Sequence, residues 1–308
     1  MRCFKIVVER KLGMIQSQRE KVINTIITVV FILLGLFCVV PILYVFSASL
    51  SDEISLAKEG YSLLPRGFSI EAYKYILESP KAILNSYAVT IFVTVVGTAV
   101  SLLCTSMFAY VIARKDFKFG RVLSFMVFFS MLFNGGLVPT YIMMTRYYGL
   151  KDSIFALIIP YIIIPWHVFL MKGFLSDIPT SLIEAAKIDG AGEIKTFFKI
   201  ILPISKPALA TVGLFIAFTY WNDWYQSMLY IDDPSLNSLQ YYLYRIMNNI
   251  QYLSSSMMSG NISMDMSALP SETARMALCI LAAGPMLVIF PFFQKYFVKG
   301  LTVGAVKG

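Results

Sequence analysis

Residues that commonly carry enzymatic chemistry are scarce in this sequence. It has one histidine, His167, and four cysteines, three of them inside apolar runs. No cysteine pair has the spacing of metal ligands, and no GxxxxGK[ST] nucleotide-binding loop occurs. His167 lies in an apolar stretch, where a histidine can relay protons, although a hydrogen-bonded histidine near a helix end is the simpler alternative. We therefore expect no catalytic site and no metal site on this chain.

The segment 220–225, YWNDWY, combines aromatic rings with hydrogen-bonding side chains. An aromatic ring can pack against the C–H face of a sugar, while Asn and Asp can bind its hydroxyl groups. The alternative is an aromatic belt at the membrane interface, with Asp223 holding neighbouring loops together. The candidate residues of a substrate pathway in this segment are Tyr220, Trp221, Asn222, Asp223 and Trp224.

A second candidate for the pathway is Asn134, which precedes Gly135 and Gly136 in the middle of an apolar stretch. A helix interrupted at this point would expose backbone groups to a cavity. A simple kink, or close packing of helices at the glycines, is the alternative.

The composition indicates that lipid is the solvent for much of the chain. Of 308 residues, 57% are hydrophobic and 14% are charged, whereas a soluble domain carries about 25% charged residues. This excludes most soluble enzymes. The net charge of +8 would suit nucleic-acid binding in a soluble protein, but the basic residues cluster at the ends of apolar runs, which favours a role in membrane topology.

Charged residues divide the sequence into six apolar stretches, each long enough to cross a bilayer as a helix. They are 22–51, 82–113, 122–145, 153–171, 207–231 and 276–294. Few of them alternate strictly between apolar and polar residues, so helices are favoured over barrel strands. The sequence therefore predicts an all-α, polytopic membrane protein with six transmembrane helices, the first of them uncleaved.

The distribution of Lys and Arg predicts the orientation. With six crossings, 18 of the 26 basic residues fall on one side, which we expect to be cytoplasmic. Both termini then lie in the cytoplasm, as a tail of residues 1–21 and a tail of residues 299–308, with a transmembrane domain of residues 22–298 between them. On the outer side, residues 254–270 have the small polar composition of a mobile loop.

The loop 176–206, on the predicted cytoplasmic side, has the pattern of two short helices. Ser181 and Glu184 form a capping-box pattern after Pro179, which predicts that the first helix begins at Ser181. Gly190 is a helix stop, and Gly192 is a second break. One face of this helix would carry Leu182, Ala185, Ala186 and Asp189.

The second helix of this loop is predicted over residues 193–202, with Phe197, Phe198 and Ile201 on its apolar side. Pro203 and Pro207 would end it and turn the chain back into the membrane. Such a short, partly apolar helix fits a groove on a partner protein. The alternative is an amphipathic helix lying on the lipid surface, and the residues alone do not decide between the two.

The same loop resembles a known motif. Glu184-Ala185-Ala186, Gly190, Ile200 and Leu202-Pro203 match every fixed position of EAA-x3-G-x9-I-x-L-P, the EAA loop of ABC importer permeases. The resemblance implies a type I ABC importer permease fold, in which this loop is a coupling helix that docks on the ATPase. The residues to which it assigns that role are Glu184, Ala185, Ala186, Asp189, Gly190 and Pro203.

Further segments resemble carbohydrate-type permeases of the maltose-transporter-like group, especially its branch of oligosaccharide and polysaccharide importers. They are residues 133–144, 149–160, 220–231 and 291–308. In this group the C-terminal tail reaches towards the ATPase pair, which implies contacts from Lys299, Gly304 and Lys307. Without the resemblance, these residues would indicate only a flexible basic end.

The resemblance implies an ATP-driven, binding-protein-dependent importer that moves an oligosaccharide across the cytoplasmic membrane of a bacterium by alternating access. Its partners would be a second permease subunit, usually in a heterodimer, two ATPase subunits that bind ATP and Mg²⁺, and an extracytoplasmic substrate-binding protein. No cofactor is expected on this chain, and no nucleic acid is expected as a partner.

Three alternatives remain at this point. The cargo of the importer could instead be a peptide, phosphate or lipid. A self-sufficient secondary transporter would need an ion- or proton-coupling site, for which only Asp223 and His167 are candidates, and these lie in different stretches. An intramembrane enzyme would need catalytic residues, which are missing.

Overall fold

A computed structural model describes residues 18–258 and 271–305 of the chain, with the side chains of 21–256 and 271–291. Almost all regular structure in these ranges is helical, and the β pairing found there is one bridge between Ser51 and Phe68. The predicted all-α class is confirmed. The N-terminal tail as far as residue 17 lies outside the described residues, and the first helix begins at Gln18.

We number the α-helices in chain order. They are α1 (Gln18–Ser49), α2 (Glu53–Glu59), α3 (Glu71–Ile76), α4 (Pro80–Ala113), α5 (Gly120–Leu132), α6 (Leu137–Ile142), α7 (Ile154–Ile158), α8 (Pro165–Ser176), α9 (Thr180–Ile188), α10 (Glu193–Thr196), α11 (Leu202–Ile204), α12 (Lys206–Trp221), α13 (Tyr225–Tyr230), α14 (Leu239–Met258) and α15 (Ser271–Ala305). Two π-helical turns, Met143–Tyr147 and Phe197–Ile201, follow α6 and α10, and 3-10 turns occupy Ile159–Tyr161 and Pro234–Leu236.

Three helices among the described residues are long and apolar enough to cross a membrane on their own. They are Lys21–Ser49, Pro80–Ala113 and Ser271–Pro291. Three further spans are present if each pair of helices joined at a sharp bend counts as one, which gives up to six. The bends are 110° between α5 and α6, 49° between α7 and α8, and 85° between Ile204 and Lys206. The orientation of the termini stays a prediction.

The chain divides into two compact units, the first of which comprises residues 18–73 and 271–280. In this unit, the side chains of α1 between Lys21 and Val40 are exposed in every direction, as suits a helix surrounded by lipid or by partner proteins. The carboxylate of Glu53 accepts hydrogen bonds from the backbone amides of Glu272 and Thr273, each at 2.9 Å. It thereby satisfies two of the four amides that every helix leaves unpaired at its start.

The second unit comprises residues 74–258 and 281–305 and is built around α4, which packs along α8 and α12. The helices approach closely at Gly97, where a Cβ atom would lie 2.6–2.8 Å from the ring of Tyr220. The Tyr220 hydroxyl crosses this contact and donates a hydrogen bond of 2.9 Å to the carbonyl of Ile158. The core thus depends on a small residue facing a large one.

Side-chain hydrogen bonds satisfy backbone groups at two of the breaks, as an apolar environment requires. Between α7 and α8, the hydroxyl of Ser101 donates to the carbonyls of Tyr161 and Ile162, at 3.1 and 2.8 Å. Between α5 and α6, the side-chain oxygen of Asn134 accepts from the amide of Gly136, whose φ of +90° suits glycine. The predicted interruption of this stretch is confirmed, and among the described residues no atom lies within 4 Å of a Cβ built at Gly135.

One long helix was not predicted. α14 continues to Met258, so the first residues of the predicted mobile loop 254–270 are helical, while residues 259–270 lie outside the described residues. Its buried residues Leu239, Leu243 and Ile250 recur at helical spacing. The periodic apolar positions are present in the sequence, but the many polar residues between them led to the prediction of a loop over its end.

Candidate functional site

The first helix of the loop 176–206 is α9, and its start differs from the prediction. It begins at Thr180, with Pro179 in the N-cap position and no side-chain capping bond, so the predicted capping box at Ser181 is wrong. Pro179 has a φ of −58° and a ψ of 129°, and its carbonyl already accepts from the amide of Leu182. The proline therefore places the helix start one residue before the serine.

The end of α9 is as predicted. Gly190 has a φ of +72° and donates its amide to the carbonyl of Lys187 at 3.0 Å, while the amide of Ala191 reaches the carbonyl of Ala186 at 2.9 Å. This pair of hydrogen bonds is the Schellman motif, which stops a helix and satisfies carbonyl groups in its last turn. Gly190 thus gives the short helix a defined end.

The exposed face of α9 differs from the predicted one. Ala186 is 4% exposed because it faces the body of the protein, whereas Leu182, Ala185 and Asp189 remain exposed. The most exposed apolar residue of the helix is Ile188, at 86%, which the sequence analysis did not single out. Ile188 lies two residues after the buried Ala186, which places it on the opposite side of the helix.

The second helix of the loop is continuous from α10 through a π-helical turn to α11. Of its predicted apolar side, Phe197 and Ile201 are buried, and Phe198 is 46% exposed. The chain continues one residue past Pro203 and turns by 85° around Ser205. The predicted turn of the chain is confirmed as a bend that lies after this proline, and its direction towards the membrane stays a prediction.

Four charged side chains connect this loop to the end of α4. Asp116 is 2.8 Å from the Nε atom of Arg114 and 3.0 Å from the Nζ atom of Lys187. Arg114 also pairs with Glu193, and Lys187 lies 3.8 Å from the same Glu193. The guanidinium of Arg114 and the ammonium of Lys187 hold the pKa of the Asp116 carboxyl well below its usual range.

We call Arg114, Asp116, Lys187 and Glu193 the ion-pair network. Its members Arg114, Asp116 and Lys187 border a cavity of about 280 Å³ between the end of α4 and α9. Tyr110, Thr180 and Glu184 also line this cavity. No local pattern in the sequence indicates the pairing of Arg114 and Lys187 with the same carboxylates, because it depends on how two distant loops fold together.

The aromatic segment after α12 is partly structural. Tyr220 and Trp221 are buried, and the indole nitrogen of Trp221 donates to the carbonyl of Ala282 at 2.9 Å. Asp223 is also buried and accepts a hydrogen bond of 2.8 Å from the hydroxyl of Tyr161. Its backbone carbonyl accepts from the hydroxyl of Ser238 at 2.9 Å, so it joins neighbouring segments. These contacts agree with the alternative in which Asp223 holds neighbouring segments together.

Other predicted residues of the pathway are accessible. Asn222 is exposed and donates to the carbonyl of Phe218 in its own helix, and Trp224 is half-exposed. Asn134 is exposed at the bend between α5 and α6, where its hydrogen bond lies within its own turn.

The remaining candidates are at the C-terminus and in α8. The backbone of Lys299 and Gly304 belongs to α15, and Lys307 lies outside the described residues. His167 is buried in the first turn of α8, and its Nδ1 atom has no hydrogen-bond partner among the described residues.

Helices long and apolar enough to cross a membrane, together with an exposed short helix in a segment that matches the EAA pattern, are typical of transport permeases. Residues 105–303 match the family model described as the inner membrane component of binding-protein-dependent transport systems. The chain belongs to this family. The predicted resemblance is thereby confirmed.

Relatives and a solved structure cover nearly the whole chain. The polygalacturonan/rhamnogalacturonan transport system permease protein YtcP of Bacillus subtilis is 39% identical over 293 residues, which are 94% of this chain and 100% of that protein. The arabinooligosaccharides transport system permease protein AraQ of Halalkalibacterium halodurans is 26% identical, over 95% of this chain and 100% of that one. A bacterial ABC transporter involved in the import of the acidic polysaccharide alginate has a chain that superposes with a TM-score of 0.73 at 28% identity, covering 92% of this chain and 99% of that chain.

Proposed function

We propose that this chain is a permease subunit of an ATP-driven, binding-protein-dependent importer that moves an oligosaccharide across the cytoplasmic membrane of a bacterium. Relatives whose names specify polygalacturonan, rhamnogalacturonan and arabinooligosaccharides support a carbohydrate cargo. We further propose that both termini face the cytoplasm, and that the chain pairs with a second permease, two ATPase subunits and an extracytoplasmic binding protein.

The observation that carries the proposal is the form of α9. This helix ends in a Schellman motif and presents Ile188 outward at 86% exposure, within a segment that matches the EAA motif. An exposed apolar side chain on a short, well-ended helix fits a groove on a partner. In the proposed complex that partner is the ATPase, which binds ATP and Mg²⁺, and α9 is the coupling helix.

The ion-pair network supports a path for the coupling. Lys187 belongs to α9 and Arg114 follows α4, and both pair with Asp116, so in the proposed mechanism these charged contacts would transmit a displacement of α9 to the central helix of the core. Closure of the ATPase pair would move the coupling helices of both permeases and favour one of two access states. Nucleotide shifts this equilibrium only by binding the two states with different affinities.

The test is co-purification of the chain with the ATPase encoded in the same cell. We expect wild type to retain the ATPase and Ile188→Asp to lose it, because a charge replaces an apolar contact in the groove. Leu64→Asp is the matched control, since Leu64 is 78% exposed and lies outside the loop. Gly190→Arg should also lose the ATPase through the damaged end of α9.

Membrane insertion of each variant is measured alongside. Absence of ATPase from the wild-type preparation would contradict the proposal, and so would equal retention by wild type and both variants of α9. The cargo is tested separately, by uptake of labelled oligosaccharides compared with peptide and phosphate in the complete transporter.

A further inference from the structure

An aromatic surface lies where the segment after α12 meets α14. The rings of Trp224 and Tyr244 stack, with centroids 4.8 Å apart and planes at 30°. Tyr225 meets Trp224 edge-on at 6.0 Å. Trp224 and Tyr225 are each 38% exposed, so this pair keeps ring surface accessible. Flat, accessible rings of this kind can pack against the C–H faces of sugar rings.

The accessible side of α14 extends this surface. Tyr241, Tyr244, Arg245, Asn248 and Tyr252 lie along one side of the helix, because at about 100° per residue they fall within an arc of about 100°. Arg245, Asn248 and Tyr252 are exposed, while Tyr241 and Tyr244 are half-buried. The row combines ring faces, an amide and a guanidinium, the groups that bind the C–H faces, hydroxyls and acidic substituents of a sugar chain.

Arg245 gives this surface a positive charge. The guanidinium carbon of Arg245 lies 5.9 Å from the centre of the Tyr241 ring. Within the described residues, no carboxylate forms an ion pair with Arg245, and α14 contains no Asp or Glu. An arginine held over an aromatic ring keeps donors free for a carboxylate, which it can bind through two parallel hydrogen bonds.

We propose that Trp224, Tyr241, Tyr244, Arg245 and Asn248 form a binding surface for an acidic oligosaccharide, with Arg245 pairing with the carboxylate of a uronate residue. The inference rests on the proposed carbohydrate cargo and specifies its chemical class. The stacked pair Trp224–Tyr244 carries the sugar ring, Asn248 binds hydroxyl groups, and Arg245 selects for charge. Except for Trp224, these residues belong to the segment between the apolar stretches 207–231 and 276–294, which the distribution of basic residues predicts to lie on the outer side, where cargo arrives.

The experiment compares two cargos of equal length in the complete transporter reconstituted with its binding protein. One is an oligogalacturonate and the other is its methyl ester, which has the same sugar backbone without the negative charges. Arg245→Gln should raise the KM for the acid about tenfold, as expected for loss of a charge-assisted hydrogen bond, and change the KM for the ester by less than about twofold. Arg245→Lys should fall between wild type and Arg245→Gln for the acid.

Two further variants separate recognition from folding. Tyr244→Ala should impair uptake of both cargos, because stacking does not depend on charge. Arg146→Gln is the matched control, since Arg146 is another exposed arginine with no ion pair among the described residues, and it should leave both cargos unaffected.

The possible failures are distinguishable. If wild type imports neutral oligosaccharides but not the acid, or if Arg245→Gln slows acid and ester equally, the acidic binding surface is refuted and the carbohydrate cargo stands. Equal slowing would show that this face contacts the partner permease or the binding protein. If wild type imports neither sugar but takes up peptide or phosphate, the proposed carbohydrate function itself is refuted.

Discussion

The ammonium nitrogen of Lys187, in α9, lies 3.0 Å from a carboxylate oxygen of Asp116, just beyond the end of α4. Asp116 also accepts from Arg114 at 2.8 Å. One carboxylate therefore joins the proposed coupling helix to the helix around which the core is built.

Asp116→Asn should weaken coupling without preventing assembly. Pairs between partly exposed charges contribute up to about 1 kcal/mol, so we expect ATP hydrolysis stimulated by the loaded binding protein to fall about two- to fivefold. ATPase co-purification should be unchanged. Glu59→Gln is the control, because it removes an exposed partner of Arg66 elsewhere in the chain. Stimulation equal to wild type would argue against a role of Asp116 in coupling.

The same carboxylate predicts a pH dependence of stability. Arg114 and Lys187 lower the pKa of Asp116 in the folded protein. The stabilisation is therefore fully present above the unfolded pKa, about 4, and is lost as the pH falls through the lower folded value. The difference in melting temperature between wild type and Asp116→Asn should be constant at neutral pH and narrow progressively in acid. A difference that widens in acid would contradict this assignment.

Gly190→Ala should weaken ATPase binding through the backbone. A φ of +72° costs an alanine about 1 kcal/mol, although no atom within 4 Å obstructs its Cβ. If the strain is relieved only by disturbing α9, the affinity for the ATPase should fall about fivefold. Gly192 is a matched control, because it has a φ of −69° and equally open surroundings. Equal effects of alanine at both glycines would contradict the backbone explanation.

Gly97→Ala should destabilise the core. The added methyl group would lie 2.6–2.8 Å from the ring of Tyr220, and overpacking of this kind costs about 1–3 kcal/mol. Thermal unfolding in detergent should therefore occur at a lower temperature. Gly284→Ala, where the Cβ would meet no atom within 4 Å, should unfold at or slightly above the wild-type temperature. An unchanged melting temperature for Gly97→Ala would show that Tyr220 can move aside.

Ser101→Ala tests the break between α7 and α8. It removes the donor to the carbonyls of Tyr161 and Ile162, and an unsatisfied buried group costs about 1–3 kcal/mol. Ser130→Ala is the control, since its hydroxyl donates to Val127 within its own helix, where the backbone already provides a donor. Equal destabilisation by both substitutions would contradict a special role of Ser101 in stabilising the break between α7 and α8.

Local signals in the sequence predicted a large part of the fold. The lack of charge over 82–113 corresponds to α4, and the αL position that glycine tolerates accounts for the end of α9 at Gly190. These features depend on a few neighbouring residues or on the length of an apolar run. The resemblance of the EAA loop added the family, which the match over residues 105–303 confirms.

Features that depend on tertiary contacts could not be predicted from the sequence. Asp116 and Lys187 are 71 residues apart, so nothing local indicates their pairing. Trp221 and Trp224 have the same side chain three positions apart, yet one is buried against α15 and the other is half-exposed beside Tyr244. Burial of aromatic residues in an apolar sequence is decided by neighbouring helices, which a pattern of residue types does not specify.

The π-helical turn Phe197–Ile201 determines the direction in which side chains before and after it point in the second helix of the loop 176–206. A π turn holds more residues than an α turn, and one residue corresponds to about 100° of rotation around a helix axis. Glu193, before the turn, faces Arg114, while Ile201, at its end, is buried in the core. Deleting one residue here would leave the segment helical but rotate Glu193 away from its partner Arg114. The number of residues in this turn therefore determines whether Glu193 can face Arg114 while Ile201 faces the core.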